Sequence, residues 1–272
     1  MIRRWRQWRR AWRVALRITA LNFRARMEYR GDFVTSLMVG IAWQVSVLVF
    51  AGVLLARFPG LGGWNQGGVL LIASIRLLSH GIAVALFGML WWTPDLVQEG
   101  MLDGYLVRPL PVYRQVLLSQ FPLNALGDST AAVLLFALAL TKLQLSWTPL
   151  RIGYFAAGVA GGVLVQGALE TLVASLSFRY TIGLPWFQWV DSVAGTFGNY
   201  PLKILPVPAR VVLTYVFPVA FIAYLPAAVL TGRVAGSGVS AWLAFASPVV
   251  GLALYVLARL IWARALRRYE SV

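Results

Sequence analysis

Seven apolar runs long enough, or nearly long enough, to cross a bilayer divide the chain: 33–56, 69–92, 116–140, 153–178, 183–199, 209–231 and 241–262. A crossing helix needs about 20 mostly apolar residues. Both ends of the chain are basic. Ten arginines fall in the first 30 residues, and Arg259, Arg264, Arg267 and Arg268 close the sequence. Lys and Arg are retained on the cytoplasmic side of a membrane, so two basic ends call for an even number of crossings. One of the seven runs therefore does not cross. The 183–199 run is short and carries Asp191; the 209–231 run is broken by Pro218 and Pro226 and preceded by "YPLKILPVP". Irregular backbone at membrane depth survives only where it is buried in protein or lines water. Periodicity does not choose between the two runs. The provisional reading has six crossings, with 201–231 entering and leaving from the outside. Loops near 57–68, 141–152 and 231–242 are then external and poor in basic residues. The loop 93–115 and a tight turn near Arg179 are cytoplasmic.

The composition agrees with that reading. The chain is 60% hydrophobic and 12% charged, where a soluble domain carries about 25% charged residues. This predicts an all-α, multi-pass membrane protein with residues 1–272 forming a single transmembrane domain and both termini cytoplasmic; the location expected for the chain is a bacterial inner (plasma) membrane. A net charge of +15 would suit nucleic acid, but its concentration at the two ends flanking apolar spans argues for membrane topology instead. Taking 100° per residue, Arg3, Arg6, Arg10, Arg13 and Arg17 share one arc of a helix over the first 30 residues, with Trp5, Trp8 and Trp12 roughly opposite. That pattern predicts an interfacial helix, with Trp at headgroup level and Arg meeting lipid phosphate. In 153–178, Gly158 and Gly162 form a small-xxx-small pair that lets helices approach closely.

Most catalytic chemistry is excluded. There is no cysteine and a single histidine, so thiolate catalysis and multi-His metal sites are out. The lysines, Lys142 and Lys203, follow Thr141 and Leu202, so no GxxxxGK[ST] phosphate loop exists. No G-x-S-x-G elbow is present either. No metal or cofactor is called for.

The stretch "VQEGMLDGYLVRPLPVYRQ", Val97 to Gln115, concentrates charge and proline between two apolar runs. Trp91 and Trp92 mark an interface ahead of it. Thr93 is placed to cap a short helix that starts at Pro94, with Asp95 and Glu99 in its early turns. Gly100 and Gly104 weaken that helix, and "RPLP" stops it.

"EGMLDGYLVRPLPVYRQ" resembles the cytoplasmic loop of type-2 ABC exporter permeases, in particular the subgroup with a Leu-Asp pair followed by Leu-x-Arg-Pro. "EYRGDFVTSLMVGIAWQ" at 28–44 is similar to that subgroup's entry into the first span, and "YPLKILPVPARVVLTYVFPVAFIAYLPA" at 200–227 to its late region. The resemblance implies six spans, an amphipathic connecting helix before the first, a coupling helix between the second and third, and external re-entrant helices before the last. It also implies soluble P-loop ATPase subunits and a second permease chain, identical or related, as partners. The motif carries an ATPase-coupling set onto Glu99, Leu102, Asp103, Tyr105, Arg108 and Pro109.

An ionisable side chain at membrane depth costs about 2.5–3.5 kcal/mol on insertion scales and is a functional candidate by default. These are Arg76, His80, Asp128, Glu170 and Asp191. At 1.5 Å per residue, His80 and Asp128 fall about 16–18 Å below the outer end of their runs, Arg76 and Asp191 about 10–12 Å, and Glu170 about 26 Å. Arg76, His80 and Asp128 are therefore expected near one another, facing into the protein, either as a structural polar network or as a patch on a transport path. The function read from the sequence is the permease subunit of an ATP-driven exporter of an amphiphilic, lipid-like or drug-like molecule. The alternatives are a membrane-bound lipid-modifying enzyme and a non-enzymatic membrane anchor of a complex.

Overall fold

The computed structural model describes residues 60–269 except 121, 123, 144, 181 and 182, together with scattered positions between 31 and 49. The expected interfacial helix, with Trp5, Trp8, Trp12, Arg6, Arg10 and Arg13, lies outside the described residues, as does most of the first apolar run. The described part is helical, with one exception. Gly60–Leu61 (β1) and Trp64–Asn65 (β2) form a two-residue antiparallel ladder. Gly62 and Gly63 join them with φ of 59° and 86°, the left-handed pair that a tight two-residue hairpin requires. This small hairpin stands where a plain loop was expected.

Helix α1, Gln66–Phe87, follows at once, and the Asn65 side chain caps it by accepting from the Gly68 amide at 3.0 Å. A 3-10 turn over Gly88–Trp92 leads into α2, Thr93–Gln98. Short helices α3 (Leu102–Leu106) and α4 (Val112–Leu117) come next, then α5 (Asn124–Lys142) and α6 (Pro149–Leu176). The 116–140 run is thus split, with α4 separated from α5 by a break that contains Pro122. Helix α7 is Leu184–Gly198, α8 is Val207–Val211, α9 is Tyr224–Leu230, α10 is Ala241–Phe245, and α11 is Ser247–Leu266. Three stretches are long and apolar enough to cross a membrane, namely Gln66–Gln98, Pro149–Leu176 and Ser247–Leu266; a fourth arises if the bent pair Val207–Val216 and Val219–Leu230 is taken as one.

Helix α1 is the centre of the bundle. Leu71, Ile72, Ile75 and Leu77 are all but inaccessible. Helix α5 runs antiparallel to it, since Gly67 faces Lys142, Gly81 faces Ser129 and Gly88 faces Pro122. Helix α6 runs parallel to α1: the Ser79 hydroxyl donates to the Val159 carbonyl, and Gly167 faces the Phe87 ring. Helix α11 runs parallel to α6 in turn. Tyr154 near the start of α6 meets Phe245, just ahead of α11; Gly161 meets Pro248 and Gly251 in the first turns of α11, and Phe178 stacks edge-on to Trp262 near its end. A side chain on Gly161 would come within 2.7 Å of the Pro248 Cα, so only glycine permits that approach. On its other side α11 exposes Val249, Leu252, Val256 and Leu260, an apolar stripe at helical spacing suited to lipid.

The chain between α7 and α10 turns back on itself. Phe187, near the start of α7, packs on Trp91, whereas Ile204 beyond its end touches Gly62 of the hairpin. From there α8 continues as a π-turn over Val212–Val216 and ends at Phe217, ahead of Pro218, which has no amide hydrogen to extend it. The helical axis bends by 74° at this point. Phe217 lies against Trp189 and Val219 against Gly198. After the bend α9 climbs back, with Pro226 against Gly158 and the Tyr224 ring against Trp64 of the hairpin. Both ends of 201–231 thus return to the hairpin end of the bundle.

Candidate functional site

Two constellations stand out, one at mid-helix and one at the end away from the hairpin.

The first is built around α1. Arg76 and His80 are one turn apart, so they share a face. Opposite them, α7 contributes Asp191, α5 contributes Asp128, and α6 contributes Gln166 and Glu170. Arg76 Nη2 lies 3.9 Å from Asp191 Oδ1. His80 sits between two carboxylates, with Nε2 at 3.7 Å from Asp128 Oδ2 and Nδ1 at 3.4 Å from Asp191 Oδ1. The Gln166 amide is 2.6 Å from His80 Nδ1 and 3.5 Å from Asp191 Oδ1. Glu170, one turn further along α6, is buried, and its Oε2 has no hydrogen-bond partner among the described residues.

The structure therefore brings Arg76, His80, Asp128 and Asp191 together. Asp191 joins the expected trio: it is the carboxylate in ion-pair range of Arg76, while Asp128 lies within range of His80. The reason lies on α7. Gly195 and Gly198 leave a trough in which Arg76 lies, and a Cβ on either would come within 3.1–3.2 Å of the arginine side chain. The guanidinium is thereby led along α7 to Asp191. On the α5 side, Gly81 lets Ser129 approach so closely that His80 and Asp128, the preceding residue on each helix, can meet. Three of the four ionisable side chains are well covered, and Asp191 is the open one, with 32% of its side chain exposed. Chemically the group can hold balancing charges at depth and pass protons through a single imidazole. Gln166 was not anticipated, although a glutamine one turn before a buried glutamate in an apolar run was a readable signal.

The second constellation is the segment 93–117. Thr93 does not act as a side-chain cap: it is itself buried within α2, and Trp92 takes the cap position. Gly100 breaks the helix with a φ of 67°, a conformation available to glycine at little cost. The chain then resumes as α3. Gln115, buried on α4, holds the following loop closed. Its amide donates to the Tyr105 carbonyl at 2.8 Å and to the Leu110 carbonyl at 2.6 Å. Between those two anchors Val107, Arg108 and Pro109 project outward, with Val107 85% exposed and the Arg108 guanidinium over the Tyr105 ring at 5.2 Å.

Of the coupling set, Glu99, Arg108 and Pro109 are exposed, and Tyr105 and Asp103 are half-buried. Leu102 has no exposed surface. It anchors the loop from within, because α3 is amphipathic and places Leu102 on its inner side. Asp103 faces Tyr269, whose hydroxyl is pushed above the usual phenol range by burial and by that carboxylate. The loop is also tied to the bundle through Tyr113 on α4. Its hydroxyl lies 2.8 Å from Thr171 Oγ1 of α6, its ring meets Trp262 of α11 edge-on, and the Arg259 guanidinium covers its face. A force on the loop would reach α6 and α11 through one side chain.

Among the described residues no group of His, Asp and Glu side chains could hold a metal ion. The family described as ABC-2 family transporter protein matches residues 41–272. No curated protein and no solved structure matches the chain. The match takes in every helix described above, together with the buried charged group and the projecting loop, and the chain belongs to the ABC-2 family of transporter proteins.

Proposed function

We propose that this protein is the membrane permease subunit of an ATP-driven exporter, moving an amphiphilic, lipid-like or drug-like molecule out of the cytoplasm or inner leaflet. Separate P-loop ATPase subunits supply the energy, and a second permease chain, identical or related, completes the path. The observation that carries this reading is the loop 99–111. It projects away from the bundle, is held at Tyr105 and Leu110 by Gln115, and is linked to α6 and α11 through Tyr113. Glu99, Val107, Arg108 and Pro109 form the surface on which the ATPase docks. Val107→Asp and Arg108→Ala are expected to leave the amount of folded permease unchanged. Loss of one buried anchor at an interface costs about 1–2 kcal/mol, so ATPase capture should fall about tenfold for Val107→Asp. The measurement is co-purification of the ATPase and its permease-stimulated hydrolysis. Wild-type capture and hydrolysis in both variants would reduce the segment to an ordinary loop.

The same reading has six crossings with both termini cytoplasmic, α7 crossing, and 201–231 re-entrant from outside. The return of both ends of that segment to the hairpin supports it. Because the chain has no cysteine, single cysteines report the topology directly. Ser146 and Ser240 are exposed near the hairpin end, whereas Ser237 is buried and is a poor reporter. Ser146→Cys and Ser240→Cys should label with an impermeant maleimide on whole cells, and Ser271→Cys only after permeabilisation. Labelling of Ser240→Cys solely from the cytoplasm would overturn the topology.

A further inference from the structure

Among the described residues the hairpin end of the bundle is basic without acidic compensation. Of the nine carboxylates in the sequence, Asp95, Glu99 and Asp103 lie at the opposite end. Asp128, Glu170 and Asp191 lie at mid-helix, and Glu28, Asp32 and Glu270 fall outside the described residues. At the hairpin end Lys203, Arg210 and Arg233 converge on one surface. The Lys203 stem lies against Gly62, and Arg233 donates to the Gly63 carbonyl while its guanidinium covers Trp64, so both grip the same turn. Lys203 Nζ also approaches Gly236, and Arg210 Nη1 approaches Gly238, two residues further along the loop that Arg233 opens. None of the three is paired with a carboxylate among the described residues, and Arg210 Nε is buried without a hydrogen-bond partner.

The neighbouring surface sets the level of these cations. At the same end Trp242 is 71% exposed and Leu150 83% exposed. An exposed tryptophan beside bare apolar surface marks the headgroup layer. Like charges gathered there repel one another unless an anion sits among them, and lipid phosphate is the anion present at that level. Arginine suits it, because the guanidinium fork matches two phosphate oxygens.

We infer that Lys203, Arg210 and Arg233 form a binding site for the head group of an anionic phospholipid, at the rim where 201–231 enters and leaves the bundle. The inference rests on charge placement and stands whether or not the transported molecule is lipid-like.

The test uses the full chain purified in mixed micelles containing equal phosphatidylglycerol and phosphatidylcholine, with retained lipid counted by native mass spectrometry. Wild type should keep phosphatidylglycerol over phosphatidylcholine by about tenfold. The variant Lys203→Gln/Arg210→Gln/Arg233→Gln should keep neither preferentially while eluting as the same monodisperse species. Should it fail to fold, the three single substitutions replace it, each expected to lower the ratio by about twofold. A millimolar arm of inorganic phosphate separates the sources. Displacement of the lipid would assign the site to a phosphate group however it is carried, and retention would assign it to the lipid head group as a whole. No preference in wild type, or an undiminished preference in the triple variant, would overturn the site.

Discussion

Replacing Arg76 by alanine is expected to remove most of the folded protein. Arg76 is buried at mid-helix, and its removal leaves Asp191 and Asp128 facing one imidazole with no fixed cation nearby. Breaking a buried ion pair by deleting one partner costs about 3–5 kcal/mol, enough to lower the folded-to-unfolded ratio by a factor of about a hundred or more. The converse change, Asp191→Asn, should cost less, because that carboxylate is about one-third exposed and water screens the orphaned guanidinium there. The double variant Arg76→Gln/Asp191→Asn removes both charges and should recover much of the loss. Asp128→Asn touches the other carboxylate and should not rescue Arg76→Gln to the same degree, because its own partner is His80. Fluorescence-detected elution profiles and thermal midpoints in detergent would rank the four variants. An Arg76→Ala protein as abundant and as stable as wild type would mean that the group carries no structural load.

The second large effect is expected at Gly251, where α11 meets α6. Gly251 sits against the Gly161 backbone, and Gly161 in turn sits against Pro248. With no hydrophobic drive between helices inside lipid, such a seam is held by close packing of small residues. Gly251→Leu would put a four-carbon side chain into a space already filled by backbone, and backbone cannot swing aside as a side chain does. Overpacking of a well-filled interior costs about 1–3 kcal/mol, and here it also separates Tyr113 from Trp262 and Arg259 further along the same helix. The expected result is a lowered thermal midpoint together with weakened coupling of the projecting loop. Leu252→Ala, on the exposed side of α11, is the control and should be close to neutral. A Gly251→Leu chain with an unaltered midpoint would show that the seam opens without cost.

How much of this was legible beforehand differs from part to part. The long helices were, because an apolar run of span length has few other uses, and the ends of α6 and α7 fell within two residues of the ends of their runs. The meeting of Arg76, His80 and Asp128 was legible too, since depth along a helix follows from residue count alone. The pairing within the group was not. It depends on how each helix is rotated about its axis and on the trough made by Gly195 and Gly198, and hydropathy carries neither. The hairpin at 60–65 was written in "LGGW", a two-glycine turn between apolar residues, but four paired residues are too few to register against a background of loop. The inward position of Leu102 was not in the motif, which names residues without saying which way they point. The amphipathic spacing of "MLDGYL" turns it inward.

The parallel seam between α6 and α11 has a consequence for synthesis. These two helices are separated in the chain by α7 and the whole bent segment, so α11 is made well after α6. As the ribosome extends the chain, α6 must reside in the bilayer with Gly161 uncovered until α11 is released. During that interval Gly161 is open to other small-residue helices, so the newborn chain depends on whatever guards its side until α11 arrives. Cleavage or premature termination before Ser247 would therefore do more than trim an edge: it would strand an unfinished surface, a form that membrane quality control is suited to recognise.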